Sequence, residues 1–144
     1  MPGCKPVLKM TTTEQNPFAD SVALGCAHLK RSLEKVPLVE DINWSHTAPG
    51  HWRLRFAIRT EPPLAWAVIK RLAYCINSCA PEGRKRNPFV FKPEGEEMRW
   101  QGRDDAVYWH IESTIPLLNP ADVAEHLEKF LLSKIHTEKD WLEY

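Results

Sequence analysis

No apolar run in this chain approaches the roughly 18 residues that a membrane-spanning helix needs. Its 144 residues include six glycines, and none fall in the GxGxxG or GxxxxGK[ST] spacing that cradles phosphate, so a nucleotide-dependent enzyme is not expected. The six histidines give no HExxH or comparable metal spacing, and no GxSxG elbow marks an activated serine. Ser45 and His46 are adjacent in a predicted strand and so point to opposite faces. An excess of charge is missing as well. Lys plus Arg and Asp plus Glu each number 19, which gives no global attraction to nucleic acid or to an anionic membrane and little repulsion between copies.

The cysteines number four, at positions 4, 26, 75 and 79, without the spacing of a disulfide framework or of a redox Cys-x-x-Cys. A chain of this length buries about two-thirds of its unfolded surface and needs no staples. Reduced thiols and a cytoplasmic location are therefore expected. Cys75 and Cys79, four apart on a predicted helix, share one face, but structural zinc usually takes two such pairs. They read as small apolar core residues, and neither a metal nor any other cofactor is expected. Met1 to Asn16 holds no apolar stretch of signal-peptide length, so neither a secretory signal nor a lipoprotein leader around Cys4 is expected. Residues 1–15, with Pro2, Gly3, Pro6 and three consecutive threonines, read as a flexible arm.

What is present is a folding composition. Hydrophobic residues make up 43% of the chain, with six Trp, five Phe and three Tyr, enough for one core in a single domain spanning 16–136. Asn16-Pro17 is a helix start, followed by Phe18, Val22, Cys26, Leu29, Leu33 and Val36 at helical steps until Pro37. A hairpin follows, with Ile42, Trp44 and His46 in one arm, Trp52, Leu54, Phe56 and Ile58 in the other, and Ala48-Pro49-Gly50 between them. Leu64 to Cys79 reads as a second, well-buried helix, and residues 80–88 as a basic loop. Three strands are then expected, at Phe89–Lys92, Glu97–Gln101 and Ala106–Ile115, with a turn at Gly102–Asp105. Asn119-Pro120 opens a third helix whose apolar stripe includes Val123, Leu127, Phe130, Leu131 and Ile135. The closing segment, 137–144, holds Trp141, Leu142 and Tyr144 and is expected to dock on its own domain or on a second copy.

The order αββαβββα predicts an α+β fold: a two-layer sandwich, a mainly antiparallel five-stranded sheet with three helices on one face. In outline, this order and the closing strand-loop-helix phrase from Trp109 to Leu131 resemble the small chaperones of bacterial type III secretion. The strands here divide two and three where those divide three and two, and no residue role is carried across.

Charge is unevenly distributed. Residues 51–103 hold eleven basic and five acidic side chains, and residues 104–144 hold three and nine, so the two parts are expected to lie beside each other and neutralise. Arg53, Arg55 and Arg59 alternate on one strand face, opposite Trp52, Leu54, Phe56 and Ile58. Tyr108, His110 and Glu112 likewise share a face, where an imidazole beside a carboxylate is the minimum of an acid-base pair, and where polar residues of a water-facing sheet also belong. If the two faces are one side of one sheet, these six residues form a partner-binding surface. The expected function is a small protein-binding module: an adaptor, chaperone or regulator whose partner is another protein or a second copy. Two rivals stand beside it. One is a nucleic-acid binder using the basic middle segment with Arg84, Lys85 and Arg86, although the glycines and strand order of RNA-recognition domains are missing. The other is a small-anion enzyme with arginines holding substrate and His110 and Glu112 moving the proton, which would show a cleft at those residues and a shifted histidine.

Overall fold

The computed structural model describes residues 17–80, 88–94 and 105–143. Their order is α1 (Pro17–Leu33), β1 (Val39–Ala48), β2 (His51–Arg59), α2 (Leu64–Asn77), β3 (Phe89–Pro93), β4 (Ala106–Ser113), α3 (Pro120–Leu127), a π-helical turn (Glu128–Leu132) and α4 (Glu138–Glu143). The α+β architecture with a single antiparallel sheet is as expected. Among the described residues the sheet has four strands, in the order β1-β2-β4-β3, and the α-helices number four. The expected strand at Glu97–Gln101 and turn at Gly102–Asp105 fall mostly outside the described residues, as do Asn16, the 1–15 arm and the basic triplet Arg84, Lys85 and Arg86. No helix among the described residues is long and apolar enough to cross a membrane.

Strand alternation places the core. Trp52, Leu54, Phe56 and Ile58 on β2 and Ile111 on β4 are buried together with Val22, Cys26, Leu29 and Leu33 of α1, Val68, Leu72 and Ile76 of α2, and Val123 and Leu127 of α3. The Trp52 indole N–H donates to Leu118 O at 2.7 Å, so this large ring is buried without an orphaned donor. Phe91 of β3 stacks on Trp109 of β4 with ring centroids 4.7 Å apart, carrying the apolar layer out to the sheet edge. Gly50 closes the hairpin at a φ of 78°, a left-handed position that suits glycine.

The third helix departs from its expected form. It begins as predicted, with the Asn119 side chain accepting from Ala121 N at 2.8 Å and Pro120 in the first turn. It then widens, and Ser133 N bonds back to Glu128 O at 2.9 Å. A five-residue hydrogen-bond step turns each residue through less than an α-helix does. Phe130 therefore swings outward to 47% exposure while Leu131 stays in the core, which corrects the expectation that both lie on the buried stripe. The closing segment is a helix, α4, whose Trp141 is buried; α4 packs on α2, and Arg71 Nε donates to Trp141 O at 2.8 Å.

Candidate functional site

The antiparallel register of β2 and β4 sets Arg53 opposite Glu112, Arg55 opposite His110 and Ala57 opposite Tyr108. These residues alternate with the core residues, so they share the sheet face turned away from the helices. The two predicted faces are one. Arg59, opposite Ala106 at the end of β2, stands apart and is ion-paired with Glu61.

The five remaining residues form a linked series with two further side chains. Arg53 Nε lies 3.2 Å from Glu112 Oε1, and the same oxygen lies 2.8 Å from His110 Nε2. On the other side of the imidazole, Nδ1 is 3.3 Å from Glu94 Oε1, and Glu94 Oε2 is 3.4 Å from Arg55 Nε. The Arg55 guanidinium sits 4.2 Å above the Tyr108 ring, and the Tyr108 hydroxyl donates to Asp41 Oδ2 at 3.1 Å. Glu112 thus lies between Arg53 and the imidazole, and Glu94 between the imidazole and Arg55.

This arrangement corrects one expectation about the face. His110 is only 5% exposed and Tyr108 and Glu94 are also buried, so the centre of the face is not a water-facing polar surface. Burial holds the His110 imidazole below its ordinary value; Glu112 opposes that, and Arg53 and Lys92 add to it. With Glu94 on the other nitrogen, the Nδ1 contact is attractive only with a proton between the two atoms.

Glu94 and Asp41 were not singled out from the sequence. Glu94 had a signal, since it continues the alternation of Val90 and Lys92 past Pro93, and its N–H donates to Tyr108 O at 2.9 Å. Asp41 had none. It sits at a shift in the β1–β2 register between Glu40 and Asn43, with a φ of 56°, and such a bulge re-aims a side chain in a way that alternation does not foretell.

Toward β1 the face opens. A cleft of about 270 Å³ is lined by Asn43, Trp44, Ser45, Arg53, Arg55 and Glu94, while His110 and Glu112 lie outside that lining. Asn43 to Thr47 are all exposed, and β1 is an end strand of the sheet, paired with β2. Cys75 and Cys79 lie on α2 and just beyond its end, and their thiols donate weakly to His126 O at 3.9 Å and Asp122 O at 3.7 Å. Among the described residues, no cluster of three or more His, Cys, Asp or Glu side chains is arranged to hold a metal ion. Compared with protein-family models, curated proteins and solved structures, the chain finds no match in any of the three.

Proposed function

We propose that this chain is a small cytoplasmic protein-binding module, of the adaptor, chaperone or regulator kind, that takes an extended segment of its partner along β1 and over the adjoining cleft. The observation that carries this reading is the stretch Asn43–His46. It lies between the two register shifts of β1, is exposed at every residue, and lacks the lysine or proline with which edge strands are commonly closed. An added strand would gain main-chain hydrogen bonds there, and its side chains would meet Trp44, Asn43 and the outer sides of Arg53 and Arg55. Cys26, Cys75 and Cys79 are free, which is compatible with a cytoplasmic location, and burial pushes them up to about 12, 11 and 12, where they are inert.

Affinity capture from the native source, with bound protein and nucleic acid both identified, tests the reading when run beside Trp44→Pro and Ser45→Pro. Successive strand residues aim their N–H groups at opposite edges, so one of the two variants leaves the β1–β2 ladder whole and blocks the outer edge. That variant should keep the wild-type thermal midpoint and lose the captured protein. Capture unchanged in both would overturn the proposal, and nucleic acid recovered in place of protein, with binding that falls steeply with salt, would favour the basic middle segment.

The cleft between Arg53 and Arg55 also favours the small-anion enzyme as a second reading. Against it stands the position of His110, buried beneath the cleft rather than lining it. Addition of inorganic phosphate that moved the His110 NMR titration would reverse that judgement.

A further inference from the structure

A second surface, on the helical layer, goes beyond this reading. The C-terminal half of α2 and the π-helical turn border a groove of about 640 Å³, whose lining includes Lys70, Arg71, Tyr74, Cys75, Phe130 and Leu131. Tyr74 is 81% exposed, and Trp66 is exposed on the same helix. Trp66, Lys70 and Tyr74 recur every four residues, so they form one outward stripe about 12 Å long, leading into the groove. The widened turn is what puts Phe130 on the opposite rim. Large aromatic side chains gathered at an open groove are the composition of an interface centre rather than of a solvated helix face.

Charge identifies the occupant. Lys70 and Arg71 line one wall and no carboxylate is among the lining residues; Lys129, just outside the lining, lies 5.2 Å over the Phe130 ring of the other wall. A second copy docking by this same patch would bring these cations against their own counterparts, which disfavours it. The floor carries no unmet demand either, since the Cys75 thiol is turned toward His126 O. Both walls are helical, so an occupant finds no strand edge to pair with and must satisfy its own backbone. We propose that the groove docks a short acidic amphipathic helix of another protein, with a bulky apolar side chain between Tyr74 and Phe130 and carboxylates toward Lys70 and Lys129.

The test uses two synthetic helical peptides with the same Leu/Phe stripe, one flanked by Glu and the other by Lys, titrated into the ¹⁵N-labelled full chain. The Glu peptide should shift the amides of Tyr74, Ser78 and Phe130, and the Lys peptide should not. Tyr74→Ala and Phe130→Ala truncate exposed rings and should keep the wild-type thermal midpoint while weakening the Glu peptide by about tenfold or more, the equivalent of about 1.4 kcal/mol. The pair Lys70→Glu and Lys129→Glu should exchange the preference from the Glu peptide to the Lys peptide. Trp44→Pro or Ser45→Pro, whichever keeps the fold, should bind the Glu peptide as the wild type does, which separates this groove from the β1 edge. No shift with the Glu peptide, equal binding of both peptides, or dimerisation abolished by Tyr74→Ala would each overturn the proposal.

Discussion

Arg55 shows how one residue can take part in both stability and recognition. Its guanidinium covers the Tyr108 ring and faces Glu94, while its other side lines the open cleft. Three arginines at alternate strand positions would repel one another, and here each is set against a carboxylate: Arg53 on Glu112, Arg55 on Glu94, Arg59 on Glu61. Replacing Arg53 and Arg55 together by Glu would set carboxylate against carboxylate at both places. The double variant should lose about 2–4 kcal/mol, most of it at position 55, because Glu94 is buried whereas water screens the more exposed Arg53 pair. Urea unfolding measures this, and a loss under about 0.5 kcal/mol, the range of ordinary surface changes, would mean that the series is not formed in solution. The pH dependence has a definite sign. With its folded value below the ordinary one, His110 favours the folded state most above its unfolded value and loses that contribution as pH falls through the folded value.

At the scale of elements, α1 and α3 meet at Gly25. A methyl group there would overlap Asn119 Oδ1 and lie 2.9 Å from both Ala121 N and Pro120 Cγ, the atoms that form the cap of α3. Gly25→Ala should therefore destabilise the fold by about 1–3 kcal/mol despite alanine's higher helix propensity, because overpacking outweighs the roughly 1 kcal/mol of propensity gained. A higher unfolding midpoint in the variant would show that the two helices stand further apart. This close approach could not be read from the sequence, where Gly25 is one residue inside a helical pattern. The alternation of β2, the caps of α3 and the faces of β4 could be read, because each rests on local periodicity. What escaped was set by distant partners. His110 and Tyr108 sit at polar positions in the strand pattern, yet they are buried because Arg55 and Glu94 reach them from neighbouring strands. Phe130 sits at a core position in the helical pattern, yet it is exposed because the helix widens after Leu127.

Among the described residues, the basic middle of the chain and its acidic end meet at two places. The sheet pairs Arg53 with Glu112, and α4, carrying Glu138, Asp140 and Glu143, packs on the α2 that carries Lys70 and Arg71. The first contact is a direct ion pair; at the second, Lys70 and Arg71 line the α2 groove, whose lining includes no carboxylate. The last helix is also a stabilising part of the domain. Trp141 is 2% exposed, and its carbonyl receives the Arg71 Nε–H. Trp141→Ala should cost about 3–5 kcal/mol through lost burial and the cavity left behind, a large share of the roughly 5–15 kcal/mol that holds a domain folded. Deletion of residues 137–144 should cost at least as much, and it also uncovers apolar surface on α2, so the truncated chain should associate as its concentration rises. Thermal unfolding and sedimentation equilibrium separate the two effects. If the truncated chain unfolds at the wild-type midpoint and stays monomeric, α4 is detached in solution and Trp141 is free to engage a partner. A lowered midpoint with concentration-dependent association shows that α4 covers apolar surface of α2 and that Trp141 belongs to the core of the domain.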